Sequence, residues 1–150
     1  MKIDTPLGPA WATVENGVVT GFGFGACEQN EPVPPELARQ IREYFDGTRR
    51  AFDLPLAPRG SAFQKKVWAE LVRIPFGETI SYAELARRAG QPGAARAVGR
   101  ANATNRIALI VPCHRVIGSN GSLTGYAFGV DIKEKLLAWE RSCFRTADRE

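Results

Sequence analysis

Ile107-Ala108-Leu109-Ile110-Val111-Pro112-Cys113-His114-Arg115-Val116-Ile117 is the stretch on which the reading of this chain turns. Its first five residues form a continuous apolar run, which predicts a buried strand. Pro112 ends the run, and Cys113 follows at a strand exit, a place where reactive side chains are displayed. His114 is the one histidine among 150 residues and directly follows that cysteine. An unperturbed thiol, with a pKa of about 8.5, needs activation to react near neutrality. A histidine base and basic surroundings favour the thiolate. Adjacent residues rarely point the same way, so a bridging water is expected between Cys113 and His114. A histidine base also needs an acceptor on its other nitrogen. Glu140 is the candidate. It falls on a predicted helix over residues 131–141, beside the face formed by Ile132, Leu136 and Leu137. A carboxylate there is costly unless paired, and His114 or an arginine would serve.

Working outward toward the N-terminus, the chain reads as three short helices. Ser61 caps the first, whose Phe63, Val67, Leu71 and Ile74 share one face that Pro75 terminates. Ser81 caps the second, residues 82–89, with Glu84 placed to complete a capping box. After the break at Gly90-Gln91-Pro92, residues 93–102 form the third. A helix, a short glycine-containing turn and another helix suggest a helix-turn-helix unit. The third helix is lined by small residues, with Arg96 and Arg100 four apart on one face. A helix that slim suits close approach to a minor groove better than readout in the major groove.

Charge supports a polyanionic partner. Residues 1–58 hold 5 basic and 8 acidic side chains, residues 59–115 hold 10 and 3, and the remainder hold 5 of each. A basic block between non-basic flanks is the footprint of nucleic-acid binding. Cysteines at 27, 113 and 143 cannot all pair and form no CxxC, which argues against a disulfide framework or a zinc ribbon. No apolar run is long enough to cross a membrane, and the start lacks the plan of a signal peptide, so a cytoplasmic protein is expected. Residues 1–58 differ in character. Short strands fill residues 3–24, with a hairpin signal at Asn16-Gly17. A helix opened by Pro34 and Pro35 carries Leu37, Ile41, Tyr44 and Phe45 on one face and closes at Gly47. The extended Leu54-Pro55-Leu56-Ala57-Pro58 then places the domain boundary near residue 58.

The segment from Ile110 to Ile117 resembles the active-site signature of the O6-alkylguanine-DNA alkyltransferases (methylated-DNA–protein-cysteine methyltransferases). The resemblance runs from Phe63 to Glu140 and includes Ile80-Ser81-Tyr82, Ala94-Ala95-Arg96-Ala97-Val98-Gly99, Asn105, Gly125-Tyr126 and Leu136-Leu137-Ala138-Trp139-Glu140. Residues 1–58 resemble the family only loosely. The implied fold is α+β: a small RNase H-like N-terminal domain over 1–58, then a winged helix-turn-helix-like, mainly helical domain over 59–150 that carries the site. The implied reaction is single-turnover, irreversible transfer of an alkyl group from O6-alkylguanine, flipped out of double-stranded DNA, to Cys113.

His114 would deprotonate Cys113 through water, Glu140 would hold the imidazole, and Tyr82 would give a proton to the leaving guanine. Asn105 would be the hinge between recognition helix and active-site loop. Val116, Tyr126, Ala127, Phe128 and Lys133 would line the base pocket. Arg96 would fill the gap left by the extruded nucleotide, with Arg100, Ala95, Tyr82 and Arg115 as further DNA contacts. No cofactor and no metal are implied. A monomer is expected, with cooperative assembly on DNA left open. Where some relatives place serine and glycine after the loop tyrosine, this chain has Ala127 and Phe128, and the bulky Phe128 would narrow the pocket toward large adducts. The alternative is a damage-binding relative without transfer activity, against which the presence of Cys113 argues.

Overall fold

A computed structural model describes the whole chain except residues 29–30, 124–125 and 150, with the backbone alone over 144–149. Gly125, singled out above, lies outside the described residues. The architecture is mixed α and β, and the chain divides into two compact units: Met1–Arg59 with Arg106–Ile110, and Gly60–Asn105 with the residues from Val111 onward.

In the first unit, strands β1 (Lys2–Thr5), β2 (Gly8–Glu15) and β3 (Val18–Phe24) form an antiparallel sheet in that order. Glu15 pairs with Val18, so Asn16-Gly17 is a two-residue hairpin loop. Both loop residues have positive φ, 51° and 78°, which an Asn-Gly pair adopts at little cost. The register shifts between Thr13 and Val14. Opposite that shift, a Cβ on Gly21 would sit 2.5 Å from the Thr13 hydroxyl, so only glycine fits. Helix α1 (Pro35–Asp46) starts on a proline and ends on Gly47 at φ 87°. It buries Leu37, Ile41 and Tyr44, while Phe45 is half-buried and meets the Tyr44 ring edge-on.

The apolar run is not a strand. Only Ile107 pairs, as an isolated parallel bridge to Phe22. Leu109 has φ 69°, and the Ile110 N–H donates to the Ala108 carbonyl at 2.8 Å, closing a three-residue turn of the rare, strained sense. Burial explains the apolar composition without any ladder: all five side chains from Ile107 to Val111 are buried. Hydrophobicity reports that a segment is inside, not how its backbone is paired.

In the second unit, helix α2 (Ala62–Val72) carries a complete capping box between Ser61 and Gln64. Val67, Trp68 and Leu71 face inward, and the Trp68 indole donates to the Ala101 carbonyl at 2.7 Å. Strand β4 (Ile80–Ser81) pairs in parallel with β5 (Val116–Ile117) and leads straight into α3 (Tyr82–Arg88). The box expected at Ser81 is half made. Its hydroxyl accepts from the Glu84 N–H, but the Glu84 carboxylate turns outward to Arg87 and Arg88, two close guanidinium partners. Those contacts hold the half-buried Glu84 at a pKa of about 2. Helix α4 (Ala95–Ala103) starts two residues later than the sequence suggested, because Gly93 sits at φ 89°. Helix α5 (Val130–Arg149) outruns its predicted end at 141.

Candidate active site

Cys113, His114 and Arg115 form a single 3-10 turn between Pro112 and β5. Pro112, at φ −80° and ψ 65°, bends the chain so that the Cys113 N–H donates back to the Val111 carbonyl at 2.8 Å. Two asparagines brace this bend. Asn105, just after α4, donates to the Val111 carbonyl at 2.9 Å, and Asn102 donates to the Cys113 carbonyl at 3.3 Å. Asn105 also hydrogen-bonds the Cys113 side chain.

Cys113 is buried, and burial pushes its thiol up; the Asn105 hydrogen bond and the Lys133 charge counter that only in part. The basic surroundings expected to favour a resting thiolate therefore do not prevail. The thiol rests protonated and needs a base at the moment of reaction.

His114 is fully buried, with Nε2 2.7 Å from Oε2 of Glu140. Burial lowers its pKa, and the nearby Arg115 and Lys133 charges add to that against the pull of Glu140. The imidazole is therefore neutral at pH 7. Because an ionised carboxylate only accepts, the single ring proton lies on Nε2 and the lone pair on Nδ1. That Nδ1 is buried with no hydrogen-bond partner among the described residues.

Glu140 is 1% exposed, and both of its carboxylate oxygens accept hydrogen bonds. Oε1 takes the Gly77 N–H at 3.1 Å and Arg115 Nε at 2.8 Å. Oε2 takes Arg115 Nη2 at 3.0 Å and His114. Burial alone would raise this carboxyl, but the hydrogen bonds and charges of His114 and Arg115 outweigh it and hold it far below the usual range.

Around this cluster, Tyr82 at the start of α3 lies half-buried between Gly99 of α4 and Lys133 of α5. A Cβ on Gly99 would be 3.7 Å from its ring, and the Lys133 ammonium lies 5.9 Å from its ring centre. Tyr126 is buried with its hydroxyl unpartnered among the described residues, and burial, with the charges of Cys113 and Glu140, raises its pKa. The Phe128 ring meets Tyr126 edge-on at 5.7 Å. No group of three or more metal-ligating side chains occurs among the described residues.

A buried protonated thiol, a neutral imidazole held by an ionised carboxylate, and a tyrosine at a helix N-terminus can together carry out nucleophilic displacement with proton transfer. The family model for the 6-O-methylguanine DNA methyltransferase DNA-binding domain matches residues 62–142. A methylated-DNA–protein-cysteine methyltransferase of Methanosarcina barkeri is 56% identical over 95% of this chain and 97% of its own. This chain belongs to the 6-O-methylguanine DNA methyltransferase family. A Mycobacterium tuberculosis relative of the same name is 45% identical over 93% of this chain and 90% of its own. The crystal structure of Mycobacterium tuberculosis OGT in complex with DNA superposes with a TM-score of 0.87 at 45% identity, covering 95% of this chain and 92% of that one.

Within this methyltransferase-family chain, consecutive residues of one turn carry two hydrogen-bonded groups, Asn105 on Cys113 and Glu140 on His114, with the charge of Lys133 bearing on both Cys113 and His114 and Tyr82 against Lys133. Val116 is buried in β5, Ala127 is exposed, and Phe128 is half-buried. Ala95 opens α4. Arg96 and Arg100 are exposed on α4, and neither has a hydrogen bond or ion pair within the described residues.

Arg115 is a correction. Read as a DNA contact, it is 5% exposed, and its guanidinium is committed to Glu140 and to the Ile74 carbonyl at 2.7 Å. Asn102 and the Gly77 N–H were missed. Asn102 carried a signal: it lies four residues after Val98 and three before Asn105, on the buried face of α4. The Gly77 N–H carried none, because backbone donors leave no trace in composition.

Proposed function

We propose that this protein repairs DNA by irreversible transfer of the methyl or other alkyl group of O6-alkylguanine to Cys113, once per molecule. The observation that carries the reading is the geometry around His114: a neutral imidazole fixed by Glu140, with its lone pair on the nitrogen that remains for the thiol. Family membership across nearly the whole chain supports the reaction class.

Double-stranded DNA is the partner. The lesion base, flipped out of the duplex, is read by backbone groups near Cys113 and Val116 and enclosed by Tyr126, Ala127, Phe128 and Lys133. Ala95, Arg96 and Arg100 on the slim outer face of α4 approach the minor groove, and Arg96 fills the place of the extruded nucleotide. The thiol proton passes through water to Nδ1 of His114. The sulfur attacks the alkyl carbon as the bond from that carbon to O6 breaks, and the electron pair leaves with guanine. Tyr82 delivers a proton to the leaving base and is reprotonated, so the proton lost by the thiol ends on guanine. The thioether is stable, and nothing in this scheme regenerates the thiol.

On the same reading, residues 1–58 form an RNase H-like domain and residues 59–150 a winged helix-turn-helix-like catalytic domain. The protein works as a monomer in the compartment that holds the DNA, the cytoplasm in a cell without a nucleus. No described helix is long and apolar enough to cross a membrane.

Intact-protein mass after incubation with an O6-methylguanine duplex, followed by peptide mapping, tests this. One methyl group on Cys113, saturating at one per protein and absent from Cys113→Ala, is expected. Tighter binding to the lesion duplex than to plain DNA with no adduct would replace repair by damage recognition.

A further inference from the structure

Arg115 has no part in the reaction as described so far, yet it makes more contacts to Glu140 than His114 does. We propose that Arg115 is a positioning residue for alkyl transfer: by clamping Glu140 it carries the counter-charge of that carboxylate, so that His114 stays neutral and keeps its lone pair on Nδ1. This inference rests on the alkyl-transfer reading above.

The geometry is that of a fork on a carboxylate. Arg115 Nε reaches Oε1 at 2.8 Å and Nη2 reaches Oε2 at 3.0 Å. The third arm, Nη1, is tied to the Ile74 carbonyl beyond α2 at 2.7 Å, and the guanidinium lies 5.7 Å from the Phe76 ring centre. Every arm of the cation is thereby fixed, and the carboxylate plane is fixed with it.

The charged groups bearing on His114 are Glu140 and Lys133 from α5 and Arg115 from its own turn, and the titratable Cys113 precedes it in that turn. A buried carboxylate needs a cation. With Arg115 in place, that cation is permanent and the imidazole can remain neutral. Without it, the task passes to His114, which then holds protons on both nitrogens and cannot accept one from Cys113. Arg115 thus acts through Glu140 and His114 and touches neither the lesion nor the thiol. Lysine, a point charge without the fork, would restore the charge but not the plane.

Because His114 is the only histidine in the chain, long-range 15N–1H spectra read its tautomer and protonation without ambiguity. In the wild-type protein the expected result is the neutral Nε2–H form, persisting below the ordinary histidine value of about 6.5. In Arg115→Met the imidazole should protonate at higher pH. Methyl transfer at saturating lesion duplex should fall about tenfold for each pH unit below that new value, and recover as pH rises. Arg115→Lys should lie between the two.

A wild-type imidazole that protonates near 6.5 overturns the proposal even if neither variant folds. So does an Arg115→Met protein whose spectrum and pH–rate profile match the wild type. Weaker duplex binding by Arg115→Met with an unchanged spectrum would reinstate the DNA-contact reading. The spectra require no transfer chemistry, so a wild-type protein that never methylates Cys113 refutes the function separately.

Discussion

Replacing Glu140 by glutamine tests the relay most directly, because the hydrogen bonds to its carboxylate dictate what an amide must do there. The donors are divided evenly: the Gly77 N–H and Arg115 Nε on Oε1, and His114 Nε2 and Arg115 Nη2 on Oε2. A carboxamide offers one acceptor oxygen and one NH2, so on either side the NH2 confronts two donors. On the Oε1 side one of them is a backbone N–H, which cannot move. On the Oε2 side His114 can escape by shifting its proton from Nε2 to Nδ1 and accepting from the amide. That is the cheaper arrangement, and it removes the lone pair that takes the thiol proton.

The comparable tautomer error in a serine-protease triad lowers turnover about 10⁴-fold. Since a thiol gives up its proton more readily than a serine hydroxyl, a loss of about 10²- to 10⁴-fold is expected. Stability should fall toward the 3–5 kcal/mol typical of removing one partner from a buried pair, offset in part by the two bonds the amide oxygen keeps. Single-turnover methyl transfer, urea unfolding and the His114 nitrogen spectrum measure the three effects. Transfer within about threefold of wild type, with His114 in the Nδ1–H form, would refute the reasoning, since a tenfold change already corresponds to only 1.36 kcal/mol.

Arg96→Ala should weaken duplex binding and slow repair in duplex DNA, with a smaller loss on a free-base substrate; equal losses on both would remove the finger role. Gly99→Ala meets the Tyr82 ring only at ordinary contact distance, 3.7 Å, so activity should survive, with a helix gain of up to about 1 kcal/mol. Gly99→Leu must displace that ring and should slow transfer.

The contributions of His114 and Cys113 to stability should both be present in full between about pH 6.5 and 8.5. Below that window the unfolded chain protonates its histidine while folded His114, with its lowered pKa, does not, and further into acid the depressed Glu140 loses its contribution. Above the window the unfolded thiol ionises while folded Cys113, with its raised pKa, resists. Melting temperature against pH checks both limbs, and Cys113→Ala should flatten only the alkaline one. Phe128→Gly should speed reaction with O6-benzylguanine more than with O6-methylguanine, as competition kinetics would show.

Much of this was legible in the sequence because the signals are local. Asn16-Gly17 can form a tight hairpin loop wherever it stands, Ser61 caps α2 by reaching three residues, and Gly47 stops α1 through its own φ. The pairing of His114 with Glu140 was foreseeable for a different reason. A carboxylate on the edge of an apolar helix face must find a donor, and the chain has few buried ones to offer.

What the linear pattern could not supply was anything set by competition between distant groups. Five apolar residues announced that Ile107 to Val111 is inside, but whether they pair or turn depends on which backbone lies alongside. Arg115 looked like any basic residue in a basic block until Ile74, Phe76 and Glu140 were brought around it. The thiol of Cys113 followed the same rule. Composition placed cations nearby and so argued for a thiolate, whereas the folded chain excludes water, and desolvation outweighs those charges. Sequence by itself determined which groups are present and what they can do locally. Tertiary structure decided which of them are dry, and in a buried site that sets who holds the proton.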